Sequence, residues 1–310
     1  MKVIVPASTS NLGPGFDTLG LAVNRHLVIE TEPAPRLSIE VTGEGASHIP
    51  ADESNLTVRA IRRVLNELPD LRIKIQNGIP ECGGFGASGA AIVGGLLIGN
   101  GLSEKKLTAE EIYNMAVQME GHPDNVSAAL LGGLVVNARG SDGIYSHIKF
   151  PVDRRLKFVA ILPDSRVETG SARKMLPMYV PLAEAVSNVQ HSSLLVAALA
   201  SGNYDMIRYA THDELHEKHR KKLIPHFAEF DKTAAENGAL AFTISGAGSS
   251  CIAFCLDDCS KVYDAFSALV SRLGLNWRTE ILEPVNEGAE LIDQRSVEGL
   301  SERKTLNPKP

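Results

Sequence analysis

Strand and helix signals are mixed along this 310-residue chain without the steady alternation of a doubly wound sheet, which predicts an α+β fold. Three glycine-rich turns each follow a strand signal. The length allows one large or two moderate domains. Apolar residues at 44% and charged residues at 22% are the mix of a soluble globule, which excludes a disordered or collagen-like chain. Acidic side chains outnumber basic ones 37 to 31, a balance unlike that of a protein built to grip nucleic acid.

The elements follow in order. Lys2–Val5, His26–Thr31 and Arg36–Val41 read as strands. From Asn55 to Leu68 a helical stripe carries Leu56, Val58, Ile61, Val64 and Leu65, and Leu71–Ile75 alternates as a half-buried strand. Ser88–Leu97 is small and apolar all round, as in a helix buried on most sides. Thr108-Ala-Glu-Glu111 is a capping box opening a helix that stops at Gly121 and Pro123. Asp124 or Asn125 is expected to cap a short helix ending at Gly132-Gly133, followed by the strand Leu134–Asn137.

The stretch Gly140–Arg154 is the expected junction, dividing the chain into domains 1–150 and 151–296 with a frayed tail at 297–310. The second half reads as strand Lys157–Leu162, helices Leu182–Leu199 and Lys222–Asn237, strands Ala239–Ile244 and Ser250–Leu256, and helix Ser260–Leu273. No secretory signal is visible, and the mostly apolar run Ala90–Leu102 is too short to span a bilayer. Cys251, Cys255 and Cys259 fall at every fourth position of a strand-like region. Reduced, buried thiols of a cytoplasmic protein are expected, with a metal cluster as the alternative.

The chemistry concentrates in the three turns: Pro6–Asp17, Pro80–Ala90 and Ser245–Ser250. In the second, glycines let backbone N–H groups converge on an anion, and the following helix aims its positive end at the same place. Gly84-Phe-Gly-Ala-Ser-Gly89 matches the dinucleotide fingerprint letter by letter, but no strand runs directly into it and helices follow it. A Walker loop needs a Lys that is absent here. Ser88 opens the helix, where its hydroxyl can cap or reach a phosphate-bound metal. Glu120 ends the capped helix and His122, Asp124 and Asn125 follow; a carboxylate beside a phosphate loop suits Mg²⁺. Arg173 and Arg220 offer forks for carboxylate or phosphate. His212-Asp-Glu-Leu-His216 lacks the Glu that a zinc protease needs directly after the first His.

These motifs, with Glu120-Gly-His-Pro-Asp-Asn125 and Ser245-Gly-Ala-Gly248, resemble the small-molecule kinases of the GHMP superfamily. The likeness is greatest to its homoserine kinase branch, through Ala172–Pro177, Ala185–Asn188 and Leu215–Pro225, and runs from about residue 2 to about residue 285. It implies a two-domain fold: an N-terminal ATP-binding domain like ribosomal protein S5 domain 2 and a ferredoxin-like C-terminal domain. ATP would lie on Gly83, Gly84, Phe85, Gly86, Ala87, Ser88 and Gly89, with Asn55 near the adenine, and Mg²⁺ on Ser88 and Glu120. Asn11, Asp17, His122, Asn125, Arg173 and Arg220 would hold the small-molecule substrate, L-homoserine. Glu120, Asp124 and Asn125 form the implied catalytic set, Asn125 orienting the hydroxyl without a strong general base. The resemblance further implies a homodimer, with no membrane or nucleic-acid partner. The chain departs from the family at Ala87 (Ser elsewhere), Phe85 (Leu), Cys82-Gly83 (often Arg or Lys) and Ser249 (often Pro). A GHMP kinase for another alcohol, or a non-catalytic nucleotide-binding homologue, is therefore the alternative.

Overall fold

The computed structural model describes residues 1–80, 83–164 and 169–292. Cys82 and the expected tail 297–310 lie outside them.

The first sheet is organised by one long strand. β1 (Lys2–Asn11) pairs antiparallel with β2 (Gly15–Pro33), whose 19 residues leave its other edge for two partners. Leu27–Pro33 pair with β4 (Leu71–Asn77), and Leu19–Leu21 pair with β5 (Leu134–Arg139). β3 (Ser38–Gly43) runs parallel to β4, joined to it through α1 (Leu56–Leu65), and β6 (Tyr145–Phe150) pairs with β5. α2 (Ala87–Leu102), α3 (Ala109–Glu120) and α4 (Asp124–Leu131) pack together. α2 is buried along most of its length, as its small apolar sequence demands.

The second sheet has the order β10-β7-β9-β8, all neighbours antiparallel. Its strands are β7 (Leu156–Leu162), β8 (Ala241–Ile244), β9 (Cys251–Leu256) and β10 (Arg278–Leu282). Between β7 and β8 lie α5 (Thr169–Lys174), α6 (Leu182–Ser201), α7 (Ile207–Ala210), α8 (Glu217–Arg220) and α9 (Phe227–Glu236), and α10 (Ser260–Arg272) links β9 to β10. A β-α-β-β-α-β run in this order is the ferredoxin-like arrangement. One apolar cluster joins Val3, Leu21 and Ile73 of the first sheet to Leu156, Phe158 and Phe254 of the second, so the two layers share a core.

Several expectations change. Ala7–Asn11, read as part of a turn, continues β1, because its backbone pairs with β2 as far as Asn11 and only Leu12–Pro14 turn. The expected junction contains β6, whose partner strand lies in the same sheet. The expected helix Lys222–Asn237 starts late: Lys221–Leu223 form a 3-10 turn, Pro225 follows, and α9 begins only at Phe227. β10 and β11 (Glu290–Ile292) lay in sequence assigned to no element, and β11 pairs with β1 across the first sheet. We propose a second unit that ends near Leu282 rather than at 296, since the chain beyond it returns to the first sheet. Cys251, Cys255 and Cys259 are buried free thiols, and among the described residues no cluster of metal-ligating side chains occurs.

The capping box forms as the sequence predicts: Thr108 accepts from the Glu111 N–H at 3.2 Å while Glu111 Oε2 accepts from the Thr108 N–H at 2.8 Å. Replacing Thr108 by Ala should cost about 1 kcal/mol in urea unfolding with an unchanged slope.

Candidate active site

Side chains alternate across a strand, and β1 uses that to hold two motifs at once. On one face Ser8 donates to Asn125 Oδ1 at 2.9 Å, and Ser10 Oγ accepts from Asn125 Nδ2 at 3.1 Å. On the other, Thr9 shares a 2.8 Å hydrogen bond with Ser245, and Asn11 Nδ2 donates to the Gly246 carbonyl at 2.8 Å. Ser245 in turn donates to the Gly84 carbonyl at 2.6 Å, and the Ser8 N–H donates to the Phe85 carbonyl at 3.2 Å. The three turns thus meet in one buried seam.

The second loop owes its shape to glycine. Gly84 and Gly86 have φ of 87° and 65°, in the left-handed region. A Cβ on Gly84 would lie 2.3 Å from the Ser245 carbonyl oxygen, and one on Gly86 would lie 2.1 Å from Ser8 Oγ. α2 opens after Gly86, and its first intrahelical bond runs from the Ala90 N–H to the Gly86 carbonyl at 2.9 Å. The amides of Ala87, Ser88 and Gly89 precede that bond and leave a positive helix end without a side-chain cap.

An open cavity of about 680 Å³ lies over this helix start. Gly83 to Ser88, Glu120, His122, Asp124, Asn125, Asn11, Asp17, Arg173 and Arg220 all line it. A second, mostly apolar hollow of about 600 Å³ lies beside it, walled by Leu27, Ile49, Pro50, Leu56, Ile75 and Ala91, and the two share Ala87 and Ser88. Asn55 lines the hollow with its amide already used: it caps α1 through the Thr57 N–H at 2.9 Å and donates to the Pro50 carbonyl at 2.7 Å. Gly89 lines neither cavity; it faces Asn125 and Val126 of α4. Phe85 is 1% exposed and packs in the core, so the larger side chain is absorbed there. Ala87 is exposed where the cavities meet.

Beside the second loop, Ser88 donates to Glu120 Oε1 at 2.6 Å. Burial raises the Glu120 carboxyl above its ordinary value against the opposing pull of that hydrogen bond. His122 Nδ1 lies 2.7 Å from Asp124 Oδ1 and its Nε2 lies 3.9 Å from Glu120 Oε1. Burial works against the imidazolium, but the Asp124 hydrogen bond and charge, then Glu120 and Asp17, outweigh it and push His122 up to about 9. Asp124 does not cap α4 as expected; it is the first residue of the helix, and its Oδ1 also accepts from the Asn125 N–H at 2.7 Å and Asn125 Nδ2 at 3.2 Å.

The two arginines differ. Arg173 grips Asp17 with two hydrogen bonds of 2.8 and 2.7 Å, both partners substantially exposed. Arg220 is 2% exposed and pairs with no carboxylate among the described residues. Its NH1 meets the Gly246 carbonyl at 3.2 Å, and its Nε has no hydrogen-bond partner. Both guanidinium groups lie over the Phe16 ring, at 5.2 and 5.1 Å from its centroid. Ser8, Ser10, Phe16 and His216 were not expected at the site; the two serines were legible only as part of an alternating strand that had been read as a turn.

The relatives of this chain place it among the small-molecule kinases. The family described as GHMP kinases N terminal domain matches residues 55–133, and that described as GHMP kinases C terminal matches 195–272. The chain belongs to the GHMP kinases, which use ATP as phosphoryl donor. It is 40% identical to the homoserine kinase of Caldicellulosiruptor bescii over 96% of this chain and 98% of that protein. To the homoserine kinase of Moorella thermoacetica it is also 40% identical, over 94% and 99% respectively. A crystal structure of homoserine kinase from Cytophaga hutchinsonii superposes with a TM-score of 0.83 at 28% identity, covering 94% of this chain and 97% of that one. A mevalonate kinase structure shares the fold, with a TM-score of 0.66 at 16% identity over 93% and 100% of the two chains.

The raised His122 gives a signed prediction. Its contribution to stability is complete below its ordinary value of 6.5 and is lost as pH rises through about 9. Wild type should lose up to about 3 kcal/mol relative to His122→Gln between pH 6 and pH 10 in paired urea titrations.

Proposed function

We propose that the protein transfers the γ-phosphoryl group of ATP to the side-chain hydroxyl of L-homoserine. The observation that carries this reading is the pairing, in one cavity, of a capless helix start with a buried arginine that has no carboxylate partner among the described residues. The amides of Ala87 to Gly89 suit the phosphates, and the apolar hollow beside them suits a nucleoside base. Ala87 lacks the hydroxyl common in the family, but the backbone amides of Ala87 to Gly89 do not depend on that side chain.

Ser88 and Glu120 are hard oxygen donors in contact at the helix start. That set fits Mg²⁺, which takes few protein ligands and completes its shell with phosphate and water. Bound there, the ion would neutralise charge on the phosphate oxygens. His122 adds a fixed positive charge to the same cavity.

An incoming amino acid carries a carboxylate and an ammonium. Arg220 has an unused Nε donor buried beside the cavity, so a carboxylate there satisfies a polar group that otherwise lacks a partner. Arg173 and Asp17 present opposite charges 2.7 Å apart, and an exposed pair of this kind is worth at most about 1 kcal/mol. A zwitterion can therefore part it and take one charge at each pole. Asn125 spends both amide hydrogens on Ser10 and Asp124 and keeps a lone pair on Oδ1, so toward the acceptor hydroxyl it accepts a hydrogen and orients the oxygen. Asp124 Oδ1 is occupied by His122 and Asn125, which leaves it poorly placed as a base. A loose transition state asks for position more than for proton removal. The homodimer and cytoplasmic setting belong to this same reading.

Coupled ADP release across homoserine, threonine, serine, mevalonate and sugars should be fastest with homoserine; preference for another alcohol overturns the substrate. Glu120→Gln should raise the Mg²⁺ needed for half-maximal rate and lower turnover roughly a hundredfold. An unshifted Mg²⁺ titration removes Glu120 from the metal.

A further inference from the structure

We infer that His216 is a positioning residue of the acceptor site: it joins the Arg220 side chain to Gly13 in the Leu12–Pro14 turn and to Phe16 at the start of β2, so that the carboxylate anchor is set before substrate arrives. The inference rests on the reading of Arg220 as that anchor.

Arg220 ends α8, a helix of four residues, which is too short to hold its shape by its own hydrogen bonds. Its backbone is fixed from outside. Asp213 Oδ1 accepts from the N–H groups of Leu215, His216 and Glu217 at 3.1, 2.7 and 2.7 Å, and Glu217 Oε1 accepts from the Ile244 N–H at 2.7 Å. None of these contacts reaches the Arg220 side chain. His216 does. Its ring is 0% exposed, and Nε2 lies 2.8 Å from the Gly13 carbonyl, which can only accept, so Nε2 carries the hydrogen. Nδ1 is then an acceptor, 3.4 Å from Arg220 NH1. The same ring stacks on Phe16, centroids 5.1 Å apart and planes at 27°.

The neutral form is the one this arrangement needs, because an imidazolium has no lone pair for a guanidinium hydrogen. Burial holds the His216 imidazole below its ordinary value, Asp213 opposes that, and Arg220 adds to it. Three groups are thereby fixed relative to one another: the first-motif turn, the aromatic ring under both arginines, and Arg220. Presetting a flexible arginine saves the ordering cost that substrate would otherwise meet on binding.

The test uses the full chain and three variants. Asn at 216 can offer an amide oxygen near the place of Nδ1; Gln can reach the Gly13 carbonyl but not both partners; Ala offers neither. His216→Asn should keep the homoserine KM within about threefold of wild type, while His216→Gln and His216→Ala should raise it about tenfold or more with the ATP KM unchanged. Gln matching Asn, or both KM values rising together, overturns the proposal. Nitrogen-15 spectra of the histidine rings add a readout that needs no turnover. They should show His216 neutral with hydrogen on Nε2, and Arg220→Ala should shift its Nδ1 resonance. An unmoved resonance overturns the contact. Where His216→Ala fails to fold, the Asn and Gln pair and the spectra decide. A wild-type chain that releases no ADP with homoserine refutes the substrate reading alone, since the ring spectra still judge the His216–Arg220 coupling.

Discussion

The seam made by Ser8, Thr9, Ser10 and Asn11 is the constraint on which the rest of the site depends. Four consecutive polar side chains are buried in the heart of an α+β core, and each finds its partner on another element. A buried polar group left without a partner costs about 1–3 kcal/mol, whereas a satisfied one contributes little more than its neighbours. The seam is therefore selective: it is tolerable only when the phosphate loop, the start of α4 and the Ser245–Gly246 turn are all in place. Loss of any one partner strands several others.

The same economy governs charge. Glu120, Asp124, Asp17, His122, Arg173 and Arg220 line one cavity, yet only Arg220 is left without an ionic or charge-bearing hydrogen-bond partner in direct contact among the described residues. The exposed Asp17–Arg173 pair is cheap to open, and the buried Arg220 is costly to leave unmatched. A ligand with two opposite charges exploits both facts, while a ligand with one pole leaves part of the set unpaired. On the proposed reading of this site, that pattern of charges would favour an amino acid over a sugar or a simple alcohol.

Much of this was readable in advance where a local rule carried it. The capping box at Thr108, the small apolar run of α2 and the glycines that bracket Gly84-Phe-Gly each have a local physical cause, and each formed as read. Reading failed where tertiary pairing overruled local signals. Ala7–Asn11 looks like a turn because serine, threonine and asparagine favour turns, yet a neighbouring strand and buried acceptors make it extended. β11 is three residues long and has no pattern that distinguishes it; only β1 makes it a strand. Phe85 departs from the family's Leu, and its burial in the core is decided by the elements that pack around it.

The sequence by itself determined the kinds of chemistry available: amides freed by glycine at a helix start, a carboxylate and a hydroxyl for a cation, and two guanidinium forks. These depend on residue type and short spacing, which the backbone cannot undo. Only the tertiary structure decided that Arg173 faces Asp17 while Arg220 stands apart, and that His216 lies between Gly13 and Arg220. Those partners are separated by many residues along the chain. Their meeting depends on how two sheets share one core, and no local pattern encodes that distance.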